Sequence, residues 1–397
     1  MLELFHGPTL AFKDMALQLL PYLSTLSARK NGEEREVSIL VATSGDTGKA
    51  ALEGFRDVPG TSCTVFYPQD GVSDIQRLQM VTTAGSNTHV IAVKGNFDDA
   101  QTGVKQLLGS EEFMAKMDAA GKLPSSANSI NFGRLVPQIV YYFSAYADLV
   151  GRSVVAPGDP VDFVVPTGNF GNILAAFYAR NMGLPVGKLI CASNRNHVLT
   201  DFFADGVYDA RRLFFKTISP SMDILVSSNL ERLLFEAADR DGALVATWMQ
   251  QLKESGTYAV GEQRMEWLND LFAAGYADDE QTAAEIRRCF EQEHYLMDPH
   301  TAVASHVLRT LRGTASRRPT VIVSTASPYK FAPDVLSALL GKDAVEGRDA
   351  FVCSELLERH TGVSMPDQVK RLREQPVRHT ASCEKDAMAQ AVLDAFK

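Results

Sequence analysis

The sequence predicts an α/β fold of two domains, each built around a parallel sheet. Short runs rich in valine and isoleucine alternate with longer stretches of helical period, which is the pattern of strands joined by crossover helices. The chain has 397 residues, enough for two or three domains. Residues 151–160 contain two glycines and two prolines between two such series, and this composition predicts a linker.

The chain opens with a predicted strand and a predicted helix. LELF at 2–5 has the composition of a strand, and from Phe12 apolar residues recur at helical spacing as far as Leu26. Pro21 lies inside the helical pattern. Because proline has no N–H to donate to the preceding turn, it predicts a kink or an early stop there.

The first strand–helix series follows. Each predicted strand is a short apolar run without polar alternation, as expected where both faces of a sheet are buried. These strands are 37–43, 63–68 and 89–93. Helices are predicted through 49–56, over 73–85 and from 98 towards 117. Gly85 is the predicted C-cap of the second of these helices.

The second series begins after the linker. Its predicted strands are of the same buried type and lie at 161–166, 188–193 and 320–325. The first of them leads through the loop 168–172 into a helix that ends at Gly183. Residues from about 229 to 310 are mostly helical by pattern, and the tail from Gly341 is charged and helical.

Composition excludes several classes of protein. The net charge of −9 argues against a nucleic-acid-binding protein, which would show a basic field, but it leaves local anion sites possible. No run of about 18 apolar residues is present, and charged residues interrupt the first fourteen where a signal peptide would be apolar. The five cysteines form no C-x-x-C pair, and no H-E-x-x-H occurs. We expect a cytoplasmic, reduced protein without a metal or a membrane segment.

The loop GNFGN lies between a predicted strand and a predicted helix. Its two glycines let the backbone approach a ligand, and the N–H groups of the following helix point towards that ligand. A phosphate is the natural occupant of such a loop. The alternative is a plain strand-to-helix turn. The loop is not G-x-G-x-x-G, so it does not indicate a dinucleotide fold.

A second loop, TSGDTGK at 43–49, also follows a strand. It differs from a P-loop because two residues instead of four separate Gly45 from Gly48, and Ala50 replaces the Ser/Thr that binds Mg²⁺. What remains is a helix N-terminus with hydroxyl side chains, suited to a carboxylate or a phosphate. Asp46 has a structural alternative as an N-cap, which stabilises a helix by about 1 kcal/mol.

A third motif, HGPTLAFKD, places Lys13 at the start of a predicted helix among apolar neighbours. Burial and a helix N-terminus both favour the neutral amine, which a Schiff-base or general-base lysine requires. The alternative is a lysine whose ammonium group reaches solvent.

Together these motifs resemble one family. HGPTLAFKD, ATSGDTG, SANSIN and PTGNFGN, in this order, are similar to threonine synthases, pyridoxal-phosphate enzymes of the tryptophan synthase β fold type (fold type II). The resemblance runs from Leu2 to about Phe331, through DPHTAVA and STASPYKF. It implies two α/β domains with the cofactor in the cleft between them. The smaller domain would be 14–150, and the larger would combine 1–13 with 151–397.

The resemblance also implies cofactor contacts. Lys13 would form the Schiff base with pyridoxal phosphate and afterwards move protons at the substrate carbons. Thr325 would be the hydroxyl partner of the pyridine nitrogen, with a strand-end threonine bonded to backbone as its alternative. The cofactor phosphate would bind to Gly168, Asn169, Phe170, Gly171 and Asn172.

Substrate contacts follow by the same resemblance. The α-carboxylate would bind to the loop residues Thr43, Ser44, Gly45, Asp46 and Thr47. The substrate phosphate would bind near SANSINFGR, at Asn128, Ser129, Asn131 and Arg134. Arg134 would hold it bidentately. The alternative makes Asn128 an N-cap and places Arg134 on a solvated face. His300 is expected to be structural.

The activity implied is that of a lyase of amino-acid biosynthesis. O-phospho-L-homoserine and water would give L-threonine and phosphate, the last step of threonine biosynthesis. Two alternatives remain: another fold type II lyase, such as a dehydratase or a sulfhydrylase, or a catalytically silent homologue that binds a phosphorylated ligand. The substrate is a small molecule, and no nucleic-acid or membrane partner is expected.

The start of the chain differs from the family pattern. Threonine synthases carry a substantial segment before HGPTLAFKD, whereas twelve residues precede Lys13 here. We expect that this chain lacks that segment. A catalytic lysine close to a chain end is poorly held, so we also expect weaker cofactor binding and slow turnover.

Overall fold

The computed structural model describes residues 1–43, 45–69, 71–312 and 318–396. The chain forms two compact units. Unit 1 comprises Met1–Leu4, Gln138–Arg348 and Arg359–Val363. Unit 2 comprises Phe5–Pro137, Asp349–Glu358 and Ser364–Lys397.

The strands in chain order are β1 Leu2–Glu3, β2 Glu36–Ala42, β3 Thr61–Pro68, β4 Thr88–Lys94, β5 Lys122–Ser125, β6 Val161–Pro166, β7 Val186–Ser193, β8 Val207–Asp209, β9 Thr257–Ala259, β10 Phe272–Tyr276, β11 Thr320–Ser324 and β12 Ala381–Glu384. The first nine α-helices are α1 Lys13–Lys30, α2 Asp46–Phe55, α3 Asp74–Val81, α4 Phe97–Gly109, α5 Glu111–Ala119, α6 Phe132–Leu135, α7 Ile139–Gly151, α8 Gly171–Asn181 and α9 Val198–Asp205. The others are α10 Leu230–Ala237, α11 Gly242–Ser255, α12 Glu262–Leu271, α13 Asp279–Glu293, α14 Pro299–Arg312, α15 Ala332–Leu340, α16 Ala350–Thr361, α17 Asp367–Lys370 and α18 Met388–Asp394.

Unit 2 is built on a five-stranded parallel sheet in the order β12-β4-β3-β2-β5. Alternate residues of its strands enter two different apolar clusters. Ile39 and Val65 pack with the helices α1, α2 and α3, while Leu40 and Phe66 pack with α4, α5 and α18. Both faces of the sheet are therefore covered, which explains why its central strands are rich in apolar residues and buried almost throughout.

Unit 1 is built on a second parallel sheet in the order β1-β11-β6-β7-β10. An apolar cluster on one face joins Val164 of β6 and Ile190 of β7 to Val303 and Val307 of α14. A separate antiparallel pair links β8 to β9. The predicted α/β class and parallel sheets are confirmed.

The structure corrects several element boundaries. Helix α3 ends at Val81, before the predicted C-cap Gly85, and the helix predicted from Asp98 towards Met117 is two helices that meet at Ser110. Ser110 breaks the helix because its extended backbone ends α4 and its hydroxyl caps α5. Strands β5, β8, β9, β10 and β12 were not predicted. The predicted division at 14–150 also differs from the two units, because the tail pairs β12 with β4 and so belongs to unit 2.

Pro21 does not end helix α1, which continues to Lys30. Proline lacks the N–H that would bind the carbonyl of Leu17, four residues earlier in the helix. Helix α2 approaches at this point: a Cβ built on Gly54 would lie 2.1 Å from the Leu17 carbonyl oxygen. Gly54 therefore allows close packing of α2 against α1 at Leu17, about one turn before Pro21.

Within the described residues, no helix is long and apolar enough to cross a membrane. No group of three or more His, Cys, Asp or Glu side chains that could hold a metal ion occurs in that part of the chain. The five cysteines are all free, and four of them are buried.

Candidate active site

The predicted lysine lies at the first residue of helix α1. The turn before it is folded around the carboxylate of Asp14, whose Oδ2 accepts a 2.9 Å hydrogen bond from the backbone N–H of Thr9 and whose Oδ1 accepts from the Thr9 hydroxyl. A Cβ on Gly7 would lie 2.5 Å from Asp14 Oδ2, so glycine is required there. The Gly-Pro-Thr part of the motif thus fixes the backbone that presents Lys13.

The side chain of Lys13 is buried, with 9% exposed. Its Nζ lies 3.4 Å from Oδ2 of Asp46, and the other oxygen of Asp46 accepts a 3.0 Å hydrogen bond from Gln76 Nε2. The alternative of a lysine that reaches solvent is therefore wrong. Lys13, Asp46 and Gln76 form a buried polar cluster in unit 2, which we call the lysine cluster.

The TSGDTG loop is held by Thr43, whose hydroxyl oxygen accepts from the N–H groups of Gly45 and Gly48, both at 2.9 Å. The N-cap position of α2 is Gly45, with φ of 138°, and Asp46 is the first helical residue. The alternative of Asp46 as an N-cap is thus wrong, because its carboxylate is directed to Lys13 instead. Thr47 is half-buried, and its N–H and hydroxyl make no hydrogen bond with another described group. Ser44 lies outside the described residues.

The SANSIN segment leads into the short helix α6. Asn131 is its N-cap: the side chain accepts from Gly133 N–H at 2.9 Å and donates to the Ser126 carbonyl at 2.8 Å. Asn128 is therefore not the N-cap, and its Oδ1 is buried without a donor among the described residues. Ser129 is half-buried.

Arg134 is 2% exposed, so the alternative that places it on a solvated face is wrong. Its Nη1 donates a 2.7 Å hydrogen bond to the neutral carbonyl of Ala127. The segment packs on the lysine helix, since a Cβ on Gly133 would lie 2.7 Å from Leu20 Cδ1. Sequence reasoning left the environment of Arg134 open because burial depends on this contact with α1.

The GNFGN loop occupies the strand-to-helix junction between β6 and α8 in unit 1. Phe170 has a left-handed backbone with φ of 63°, and its ring packs 6.1 Å from Phe203 and 5.9 Å from Phe272, measured between centroids. The carbonyl of Gly168 accepts from Ser227 Oγ at 2.8 Å. The carbonyl of Asn169 accepts from a side-chain amide at 2.9 Å. The loop carbonyls are therefore turned towards the 227–229 segment.

The N–H groups of this loop are available. From Gly168 to Asn172, no backbone N–H donates to a described carbonyl or side chain, although Phe170, Gly171 and Asn172 are buried. A Cβ on Gly168 would lie 3.0 Å from the Cα of Met222, so the backbone is closely covered on that side. A row of free N–H groups at a helix N-terminus is the usual binding site of a phosphate.

Asn172 adds a side-chain donor to the same loop. The hydroxyl of Tyr142 lies 2.7 Å from Asn172 Oδ1 and 2.9 Å from its carbonyl oxygen, so the orientation of the amide is fixed. Burial raises the pKa of Tyr142 well above its ordinary value, which keeps the hydroxyl protonated as a donor. The Nδ2 of Asn172 is buried and has no partner among the described residues. A buried donor without an acceptor is rare in native proteins and fits a missing anion.

Thr325 directly follows β11 in unit 1 and is 5% exposed. Its hydroxyl makes no hydrogen bond with any described group. The alternative of a strand-end threonine bonded to backbone is therefore not what the structure contains.

Two supporting groups were not found from the sequence. Gln76 contacts Asp46 of the lysine cluster, and Tyr142 contacts Asn172 of the GNFGN loop, but no local pattern marks either residue. His300 was expected to be structural, and its position agrees: Nδ1 lies 2.7 Å from Asp298 Oδ1, and Nε2 accepts from the Ser221 N–H at 3.2 Å. His300 thus supports the segment that covers Gly168.

Comparison with known proteins identifies the class. Residues 1–326 match the family described as pyridoxal-phosphate dependent enzyme. A lysine buried at a helix start and a loop of free N–H groups, which are described above, agree with that match. The fold and the match define a pyridoxal-phosphate dependent enzyme of fold type II.

Individual relatives define the family more narrowly. The chain is 46% identical to threonine synthase of Pseudomonas aeruginosa over 341 residues, which cover 86% of this chain and 70% of that protein. It is 44% identical to human threonine synthase-like 1 over 352 residues, which cover 87% of this chain and 47% of that protein. The chain thus spans about half the length of the threonine synthase-like 1 proteins it matches.

Solved structures of threonine synthases are also similar to this chain. A pyridoxal-phosphate-bound threonine synthase from Brucella melitensis has a TM-score of 0.85 and 37% identity, with coverage of 100% of this chain and 78% of that one. Yeast threonine synthase also has a TM-score of 0.85, with 33% identity and coverage of 99% and 77%. The chain belongs to the threonine synthase family.

Proposed function

We propose that this protein is a threonine synthase that converts O-phospho-L-homoserine and water to L-threonine and phosphate. The observation that carries the proposal is the buried Lys13, held at a helix start with its Nζ 3.4 Å from Asp46. Taking an ammonium out of water is costly, and burial therefore favours the neutral form of a lysine amine. A lysine that reacts with a carbonyl needs this neutral form.

The residues present fit pyridoxal phosphate. The free N–H groups of Gly168 to Asn172 and the buried Nδ2 of Asn172 supply donors for its phosphate. The free hydroxyl of Thr325 is available to the pyridine nitrogen, and Lys13 is available to the aldehyde. When bound, the cofactor supplies an electron sink for negative charge that develops at the substrate Cα.

The chain's own residues would then bind the substrate and move its protons. Nζ of Lys13 would take the proton from Cα, and later return one there, while the carboxylate of Asp46 stabilises the ammonium so formed. Gln76 holds Asp46 in place through its 3.0 Å hydrogen bond. Asp46 in turn holds Nζ of Lys13 at the start of α1.

Two anionic groups of the substrate require two binding sites. The unused N–H and hydroxyl of Thr47, at the N-terminus of α2, would bind the α-carboxylate. The substrate phosphate would bind near SANSIN, where the buried guanidinium of Arg134 supplies positive charge and the half-buried Asn128, Ser129 and Asn131 supply polar groups. Thr43 contributes by shaping the loop, since its hydroxyl oxygen already accepts two N–H groups.

We also propose that the protein acts in the cytoplasm on a small molecule, without nucleic acid. Four buried free cysteines and a net charge of −9 support this part of the proposal.

A second candidate is another fold type II lyase, or a homologue that binds a phosphorylated ligand without turnover. The 44% identity to threonine synthase-like 1, a protein named separately from the threonine synthases, supports this second candidate. The three possibilities differ in product: the synthase releases threonine and phosphate in equal amounts, a dehydratase releases a keto acid, and a silent homologue releases neither.

The deciding experiment incubates the protein, loaded with pyridoxal phosphate, with O-phospho-L-homoserine and measures threonine and phosphate together. We expect one threonine for each phosphate, and neither from Lys13→Ala. Phosphate without threonine would support another lyase, and binding of the substrate without either product would support the silent homologue.

A further inference from the structure

Unit 2 contains a cavity of about 640 Å³ that none of the residues assigned above to cofactor or substrate lines. Its volume lies within the range of about 300–1,000 Å³ that is typical of small-molecule sites. Four cationic side chains line it: Lys49, Arg56, Arg371 and Arg378.

The lining carries an excess of positive charge. Glu53 pairs with both Lys49 and Arg56, at 3.0 and 2.9 Å, and Asp367 lies 3.7 Å from Arg371. No described carboxylate pairs with Arg378. Four cations against two lining carboxylates leave two positive charges, which a dianion would neutralise.

A buried amide also faces the cavity without a partner. Gln79 is 3% exposed, and its Oε1 has no donor among the described residues. A buried acceptor normally accepts a hydrogen bond, so a hydroxyl group of a ligand would donate to Gln79 Oε1. The site therefore suits a dianion whose body carries hydroxyl groups.

A phosphomonoester has these properties. It carries a charge of about −1.5 to −2 at neutral pH and three acceptor oxygens, and arginine forks bind such oxygens in pairs. The lining contains three arginines, so a single phosphate can accept from more than one of them.

The cavity contacts the same segments that position Lys13. On helix α2, Asp46 contacts Lys13, while Lys49, three residues on, lines the cavity. On helix α3, Gln76 contacts Asp46, while Gln79, three residues on, lines the cavity. A ligand that shifts either helix would also shift the lysine cluster.

We propose that this cavity is a regulatory site for a hydroxyl-bearing phosphomonoester, coupled through α2 and α3 to Lys13. The proposal of a binding site rests only on the residues that line the cavity. The proposal of coupling also rests on the proposed function, because it concerns Lys13 as the cofactor lysine. Coupling between two sites is reciprocal. The ligand changes the affinity for pyridoxal phosphate by the same factor by which pyridoxal phosphate changes the affinity for the ligand.

Calorimetry on the protein loaded with pyridoxal phosphate tests the site, with glucose 6-phosphate as the probe. We expect one saturable site for this probe and none for glucose. Arg378→Ala should weaken binding at least tenfold without lowering Tm, because this exposed arginine has no described ion pair. The matched control is Arg152→Ala, an exposed arginine that does not line the cavity and should leave binding unchanged.

Three results would overturn the binding site: no binding of glucose 6-phosphate, equal binding by Arg378→Ala and wild type, or binding of malate in its place. The coupling is tested by the dissociation constant for pyridoxal phosphate with and without saturating glucose 6-phosphate. A change of at least threefold supports it, and no change overturns it. If pyridoxal phosphate does not bind at all, the proposed function fails, while the calorimetry with Arg378→Ala still decides the cavity.

Discussion

Replacement of Gly54 by alanine tests the packing of α2 on α1, which brings Asp46 to Lys13. The new Cβ would lie 2.1 Å from the Leu17 carbonyl oxygen and 2.7 Å from the Leu17 carbonyl carbon. Carbon–oxygen contacts normally lie at about 3.3–3.6 Å, so α2 must move by about 1 Å. The neighbouring atoms are backbone, and for this reason no side-chain rotation can relieve the contact.

The expected change in the free energy of unfolding combines two opposing effects. Overpacking of a well-packed core costs about 1–3 kcal/mol. The gain in helix propensity from glycine to alanine offsets up to about 1 kcal/mol. We expect a net loss of about 1–2 kcal/mol, which lowers the Tm of the unit 2 transition by about 2–8 °C at 2–4 °C per kcal/mol.

A matched variant isolates the packing effect. Gly109 ends helix α4, and a Cβ built there has no atom within 4 Å. Gly109→Ala should therefore leave stability unchanged or raise it by up to about 1 kcal/mol. Thermal and urea unfolding, followed by circular dichroism, measure both variants. Equal stability of Gly54→Ala and Gly109→Ala would refute the packing argument.

Three further predictions concern single side chains. Tyr142→Phe should weaken pyridoxal phosphate binding about tenfold by equilibrium titration, because Asn172 loses the donor that orients it and a lost buried hydrogen bond costs about 1–3 kcal/mol; an unchanged affinity would contradict this. Arg134→Ala should weaken O-phospho-L-homoserine binding by about 1.5–3 kcal/mol and leave cofactor binding unchanged, and equal losses for both ligands would refute separate phosphate sites. Burial, aided by Asp279 and opposed by Lys216, raises the pKa of Asp334 to about 6. The folded state therefore holds this proton more tightly than the unfolded state, and stability is lost as pH rises from about 4 through 6. Asp334→Asn should then stabilise the protein by about 1–3 kcal/mol at pH 7 and have little effect at pH 4 in urea unfolding; a gain of equal size at both pH values would contradict the assignment.

Apart from the short edge strand β1, the strands that sequence analysis found are largely buried. Residues 61–68 and 161–166 are mostly apolar and are buried at every position, because helices cover the sheet. Strand β10, with the sequence FAAGY, has two alanines and a glycine and no β-branched residue. Strand β12 lies in a charged tail and pairs only with β4, at the edge of its sheet. Local composition does not mark either strand, since tertiary pairing decides both.

The candidate site also contains features that the sequence predicted and features that it did not. The positions of Lys13 and of the loop 168–172 at helix starts were predicted from the sequence and are observed, whereas their cofactor contacts are proposals. The bond from Gln76 to Asp46 spans 30 residues, and the contact of Tyr142 with Asn172 also spans 30. Such contacts depend on how helices pack, which local pattern does not report. The environment of Arg134 was left open for the same reason.

Reduction with borohydride is the most direct test of the central claim that Lys13 is the cofactor lysine. The protein is incubated with pyridoxal phosphate, reduced, digested and mapped by mass spectrometry. We predict a single pyridoxyl modification at Lys13 and an unmodified Lys49, which provides an internal control on the neighbouring helix α2. Loss of the modification in Lys13→Ala, with an unchanged Tm, would complete the assignment. Modification of another lysine, or none in the wild type, would contradict it.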